Sequence, residues 1–149
     1  MAVDVLSEIV IDRPRSAVAA YAGEPDNAPE WYVNIESVEW KTEKPLVLGS
    51  RMAFVARFLG RRLAYTYEVI ELVPGERLVM RTAEGPFPME TTYTWEALDA
   101  TRTRMTLRNC GEPSGFGSLV APLMARSMKR ANVADLVQLK TILERVPRA

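Results

Sequence analysis

The sequence predicts an α+β fold, a curved seven-stranded antiparallel sheet wrapped around one long C-terminal helix, with two short helices between strands 1 and 2. Three observations predict it. From Ile35 to Cys110 apolar residues recur with a period of two, in short runs parted by turn-forming residues. From about Phe116 to about Arg145 the period lengthens to three and four. Between the first apolar run and Ile35 lie only two segments, each too short to form a layer of its own.

The first run, Val3 to Ile11, is rich in Val and Ile and reads as a strand. Asp12, Arg13 and Pro14 end it. Asp12 is placed to accept from the free N–H groups of a following helix, and Pro14 is tolerated in a first turn, where its missing N–H would have no partner. A short helix then runs through Ala22, with Ala17, Val18 and Tyr21 on one face, and Gly23 stops it. Glu24 to Tyr32, with Pro25 and Pro29, reads as a loop and a single helical turn carrying Trp31.

Six further strands are expected near Ile35 to Lys41, Ser50 to Phe58, Arg62 to Leu72, Arg77 to Thr82, Met89 to Ala97 and Thr103 to Cys110. Val73-Pro74-Gly75-Glu76 has proline and glycine where a type II turn needs them, Gly60 supplies another reversal, and Leu98 to Thr101 a third. Connections this brief require antiparallel neighbours, so the strands form a meander. Alternate residues in these strands are mostly apolar and share one face, odd-numbered in the strands at 62–72, 89–97 and 103–110 and even-numbered in those at 50–58 and 77–82, whereas Glu68, Glu90, Glu96, Arg104 and Arg108 share the other, as ordinary cross-strand surface pairs.

In the last segment Leu119, Val120, Leu123, Met124, Met128, Leu136, Leu139 and Leu143 form the stripe that must bury itself against the sheet. A helix of that extent is ~40 Å long, enough to cross a small sheet. Gly111, Pro113, Gly115 and Gly117 supply the turn that brings it back, and Pro122 predicts a late start or a bend.

Composition narrows function mainly by exclusion. The 149 residues fit one domain, 1–149. They contain no histidine and a single cysteine, which excludes zinc sites built on His or clustered Cys and every nucleophile–imidazole machinery. No metal and no cofactor is expected. Lone Cys110 points to a reducing, cytoplasmic setting, and Asp4 and Glu8 interrupt what a signal peptide would need. Basic and acidic residues balance at nineteen each, so neither nucleic acid nor anionic lipid is an expected partner, and no stretch is long enough for an integral membrane segment. Arg61-Arg62 and Lys129-Arg130 are too short to make a nucleic-acid stripe. A monomer or a homodimer is expected.

Several stretches carry a family likeness: IDRPRSAVAAY after the first strand, Trp31, Leu48-Gly49-Ser50, Tyr67-Glu68-Val69 followed by Pro74-Gly75-Glu76-Arg77-Leu78, Thr101 to Met105, and Leu136-Gln138-Leu139-Lys140-Leu143-Glu144. With these, the chain resembles the helix-grip fold of the START-like (SRPBCC) superfamily, in its polyketide cyclase/dehydrase and lipid-transport branch, over nearly its whole length. Asp99-Ala100 departs from the family's usual glycine turn. The resemblance implies a cavity between the concave face of the sheet and the last helix. Its members include lipid carriers, aromatase/cyclases, plant ligand binders and chaperone activators, so it specifies scaffold more than chemistry.

Inward parity supplies a lining for such a cavity: Phe54, Phe58, Tyr65, Tyr67, Met80, Met89, Thr91, Tyr93, Trp95, Met105, Leu107 and Asn109 from the sheet, and Met124, Met128 and Leu136 from the helix. The same residues could fill a closed core; the resemblance favours a cavity. Ala121, Ala125, Met124 and Met128 are expected beside it, and Leu136, Leu139 and Leu143 in tight packing. Trp31 and Tyr32 either close one mouth or anchor their helical turn.

The expected function is binding or carriage of a hydrophobic small molecule, lipid-like or aromatic. The alternatives are a polyketide aromatase/cyclase or dehydratase working without metal or histidine, and a protein-interaction module of the chaperone-activator kind. For an enzyme, Tyr65, Tyr93 and Asn109 are the candidate hydrogen-bond donors to an enolate oxygen. No inward carboxylate with a clear cause for a shifted pKa is evident. Asn132 and Asp135 flank the helix stripe as boundary residues, and Cys110, on the outer parity, reads as an ordinary strand-end thiol.

Overall fold

The computed structural model describes residues 3–58, 60–85, 88–112 and 121–145, apart from the side chains of Phe58 and Ala121. The expected lining by the Phe58 side chain, the turn at Pro113 to Gly117, the helix start near Phe116, Leu119, Val120 and the Ala121 side chain lie outside the described residues.

The chain folds as β1 (Val3–Ile11), α1 (Arg15–Ala22), a 3-10 turn (Pro25–Asn27), α2 (Ala28–Trp31), β2 (Ile35–Trp40), β3 (Arg51–Phe58), β4 (Arg61–Val73), β5 (Arg77–Glu84), β6 (Met89–Ala97), β7 (Thr103–Gly111) and α3 (Ala121–Arg145). The seven strands form one antiparallel sheet in the order β1-β7-β6-β5-β4-β3-β2. Strand ends differ from the expected ones by one or two residues, where pairing continues into the turns. The type II geometry at Val73–Glu76 is present, with Glu76 N–H donating to the Val73 carbonyl at 2.9 Å and Gly75 at φ 77°. At the other turn Asp99 takes the place of the expected glycine: its carboxylate accepts from the Thr101 N–H at 2.9 Å and the Arg102 guanidinium at 2.8 Å.

One expectation at α1 is corrected. Asp12 does not cap the helix, which starts after Pro14 with no side-chain cap; the Asp12 N–H donates instead to the Glu144 carboxylate at 2.7 Å, tying the end of β1 to the end of α3. Gly23 ends α1 as expected, at φ −82°, so close packing and not the left-handed region is what favours glycine there. A Cβ at Gly23 would lie 2.7 Å from the Ala19 carbonyl oxygen and 3.4 Å from the Trp95 ring.

Irregular pairing bends the sheet. The register slips between Val69 and Glu71 where β4 meets β5, again between Thr66 and Tyr67, and between Ile35 and Ser37 on β2. An extra residue on one strand increases local twist and turns the strand. In β4 the slip at residue 70 lets both Val69 and Leu72 reach the core.

α3 lies along β1. Met124, Met128, Asn132, Asp135, Leu136, Leu139 and Leu143 form its buried stripe, whereas Leu123, expected there, is 54% exposed. At 100° per residue Leu123 sits one step round from Met124 and faces away. Its outer face also carries Val133 and Val137, both exposed. The seam with β1 is polar at its margin: Lys140 donates to the Val10 carbonyl at 2.9 Å and Lys129 to the Leu6 carbonyl. These cations occupy acceptors on the open edge of β1, which a sheet edge otherwise leaves unpaired. The other face of the sheet carries the expected charge pairs, Arg51–Glu68 at 2.8 Å, Arg104–Glu96 at 3.3 Å and Arg108–Asp4 at 2.6 Å. All are exposed or half-exposed, and each contributes ~0–1 kcal/mol.

The main core joins Ile11, Val18, Trp31, Met52, Val69, Leu78, Trp95, Met105 and Leu107 to Leu136, Leu139 and Leu143. Chemical denaturation of variants separates the two faces of α3. Leu139→Ala is expected to cost about 2–5 kcal/mol, and Val137→Ala, at an exposed position, within about 0.5 kcal/mol.

Candidate functional site

Sheet curvature leaves a space that α3 covers but does not fill. A cavity of about 140 Å³ lies between the sheet and the middle of the helix. Phe54, Tyr65, Tyr67, Met80, Met89, Thr91, Tyr93 and Asn109, expected on inward parity, and Met128, expected from the helix stripe, line it. So do Tyr32, Asn34, Ile35, Ala56, Arg57, Leu63, Ala131, Asn132 and Asp135. Exposed Arg57 stands at the rim, paired with Glu36 at 2.5 Å.

Trp95, Met105, Leu107, Met124 and Leu136 do not line the cavity. Trp95, Met105, Leu107 and Leu136 belong to the main core, and Met124 packs with Val3, Val5, Met89 and Met128 in a smaller cluster. Parity gives the face of a strand, not the position along it. Met105 and Leu107 pair with Ile9 and Ser7 of β1, beside α3, and Trp95 packs on Gly23. On the helix the division between cavity and packing falls later than expected, with Met128, Ala131, Asn132 and Asp135 at the cavity.

Polar atoms gather in two places. The first is a relay across β6, β7 and α3. Thr91 Oγ1 donates to Asn109 Oδ1 at 2.6 Å, and Asn109 Nδ2 donates to Asn132 Oδ1 at 3.3 Å. Thr91, directly opposite Asn109 in the sheet, also lies beside the Tyr67 hydroxyl, and its hydrogen bond lowers that phenol's pKa against the larger effect of burial, which pushes it up to about 12. The relay ends at Asn132 Nδ2, a buried donor with no partner among the described residues. A buried, unmatched donor costs about 1–3 kcal/mol.

The second place holds Asp135, Tyr32 and Tyr93. Tyr32 ends α2, Tyr93 comes from β6, and their hydroxyls are in direct contact. The rings of Trp31 and Tyr32 lie 4.1 Å apart and those of Trp31 and Tyr93 5.7 Å apart, so the buried Trp31 ring holds both tyrosines in place. Asp135 is 2% exposed and its Oδ1 accepts from the Val33 N–H at 2.9 Å. Burial pushes this carboxyl up to about 7, against the Val33 hydrogen bond, which lowers it. Burial also raises both phenols, and the nearby Asp135 charge adds to the effect. At neutral pH the tyrosines are therefore donors, and Asp135 alone among these groups is poised to gain or lose a proton. This corrects the expectation of an ordinary boundary carboxylate. Its signal was the spacing from Asn132, Leu136 and Leu139, which puts Asp135 inside the buried stripe.

Cys110 lies outside this site. Burial raises its thiol pKa, and the 3.4 Å contact with Asp4 raises it further, the opposite of an activated nucleophile. Among the described residues no group of three His, Cys, Asp or Glu is placed to hold a metal ion. No described helix is long and apolar enough to cross a membrane.

A family model described as polyketide cyclase/dehydrase and lipid transport matches residues 2–144. No match is found among curated proteins. Among solved structures, the Zhui aromatase/cyclase from Streptomyces sp. R1128 superposes with a TM-score of 0.84 at 19% identity, covering 100% of this chain and 98% of its own. A Thermus thermophilus protein gives 0.81 at 22% identity over 95% and 97% of the two chains, and a START superfamily protein from Mycobacterium smegmatis gives 0.84 at 11% over 97% and 99%. At these identities the likeness is one of fold.

The raised carboxyl has a consequence for stability. A folded-state pKa of about 7 against the ordinary value of 3.8 means that the native state holds the proton more tightly, so Asp135 lowers stability as pH rises between those values. Asp135→Asn keeps the acceptor for Val33 and removes the ionisation. It is expected to be about 1–3 kcal/mol more stable than wild type at pH 8, with little difference at pH 4. Urea unfolding at the two pH values checks this; an equal difference at both would show that Asp135 ionises normally.

Proposed function

Since the chain belongs to the polyketide cyclase/dehydrase and lipid transport family, we propose that its cavity binds a hydrophobic small molecule of about one ring, with an oxygen function at its polar end. The observation that carries this reading is the lining: Phe54, Leu63, Met80, Met89 and Met128 form apolar walls, and most of the polar groups belong to the Asn132 relay and the Asp135–tyrosine group, with Asn34, Arg57 and Tyr65 also on the wall. Apolar walls supply affinity, and a few fixed polar groups supply orientation. A volume of about 140 Å³ is close to that of an engineered apolar cavity of ~150 Å³ that holds benzene. An extended lipid or a full polyketide chain needs more room than that.

A second reading, an aromatase/cyclase or dehydratase, is favoured by one observation, a carboxyl poised near neutrality beside two protonated phenols. Asp135 as carboxylate would take a proton from the carbon between two carbonyls. The resulting enolate carbon would attack a further carbonyl within the same molecule, and the alkoxide would take a proton back from Asp135. Tyr93, with Tyr32 behind it, would donate to the enolate oxygen; Tyr65 and Asn109 stand nearby as further candidates. That Zhui is an aromatase/cyclase of the same fold supports this reading.

Ligand-observed NMR with small aromatic probes tests both. Ala131→Trp, which puts a bulky ring at the cavity wall, is expected to abolish probe uptake with the fold retained; uptake unchanged by that substitution would refute the cavity reading. In the second reading Asp135→Asn lowers turnover of a β-dicarbonyl substrate that carries a further carbonyl at least about 100-fold while binding persists, and equal losses of binding and turnover would leave only the binding function.

A further inference from the structure

The most informative polar atom in the cavity wall is one with no partner among the described residues. Asn132 is 4% exposed, lines the cavity, and has its Oδ1 engaged by Asn109, whose own Oδ1 is engaged by Thr91. Each step hands its donor to the next acceptor. The series ends on Asn132 Nδ2, which has no acceptor among the described residues. Buried side-chain amides in native proteins are almost always satisfied, so an amide left over at the wall of a cavity asks for an occupant. The requirement is specific, because an N–H group can be met only by a lone pair.

The geometry points to Asn132 as the specificity-determining residue of this cavity, its Nδ2 donating to a carbonyl oxygen of the bound molecule. The inference rests on the cavity being a ligand site. Nδ2 is buried, so uptake includes a small rotation of the amide toward the incoming oxygen. Asn109 and Thr91 resist a larger rotation, since turning the amide over would break the relay behind it. Asp135 lies three residues further along α3 on the same buried stripe, roughly 5–6 Å away between Cβ atoms. A ligand with its carbonyl at Asn132 would therefore present its neighbouring ring atoms, or a second oxygen, to Asp135 and the Tyr32–Tyr93 pair. A carbonyl is preferred to an amine here because an ammonium group has no lone pair for Nδ2.

Acetophenone and ethylbenzene are matched in shape and differ in the carbonyl. Their dissociation constants for the whole protein, measured by ligand-observed NMR, give a preference ratio. Wild type is expected to favour acetophenone, and Asn132→Leu, close in size, to reduce that ratio about tenfold, the loss expected for one matched hydrogen bond. Ethylbenzene binding by the variant reports that the cavity is intact, and Asn132→Ala replaces it if the leucine variant does not fold. A ratio unchanged by both substitutions would overturn the role of Asn132 while leaving the cavity a ligand site. If wild type binds neither probe, the cavity reading and this inference fall together.

Discussion

The rest of the structure depends on how one stripe of α3 is buried. A 25-residue helix is laid along β1 and over the concave side of a bent sheet, and the residues facing inward change in kind along its length. Toward the C-terminal end Leu136, Leu139 and Leu143 interlock with Ile11, Met105 and Leu107. In the middle the inward residues are Met128, Ala131, Asn132 and Asp135, which are flexible, small or polar and do not close the space. The cavity exists because the helix is held in register by its packed end and its flanks, so the middle cannot collapse onto the sheet. Lys129 and Lys140 on the β1 carbonyls, and Glu144 on the Asp12 N–H, serve that register.

Placing Asn132 and Asp135 on that stripe works against stability. A buried carboxyl that accepts one hydrogen bond and an amide with an unmatched donor are both features that a core designed only for stability would replace with leucine. They sit together on one helical turn, beside the phenols of Tyr32 and Tyr93. Departures from good packing that cluster in one cavity, while the adjoining core is well filled, are what a binding or reacting site looks like in energetic terms.

Much of this was legible in the sequence. Strand order, the meander and the turn at Pro74-Gly75 follow from period-two runs and local turn chemistry, both short-range signals. Inward parity placed eight lining residues on the concave face because alternation is a property of each strand alone. It could not separate Tyr93, at the cavity, from Trp95 two residues on, in the core; that distinction depends on where α1 and its Gly23 come to rest. Leu123 falls outside the stripe for the reverse reason: the end of an apolar run on a helix drifts round the axis, and hydrophobicity alone does not fix the edge of the stripe.

Asp135 shows the limit most clearly. Its spacing marked it as inward, yet a carboxylate is so rarely fully buried that a boundary position was the better expectation from sequence alone. What overrides that expectation is long-range: the Val33 N–H, 102 residues earlier in the chain, is directed at Oδ1 by the end of α2, and Trp31 seats Tyr32 and Tyr93 alongside. The short connection from α2 to β2 thus reaches a residue on the last helix, and its Val33 hydrogen bond partly offsets the rise in pKa that burial imposes on Asp135. The contact that fixes this connection on α3 positions the carboxyl, whereas burial on the helix stripe perturbs its acidity, so positioning and perturbation are two opposed effects meeting at one residue.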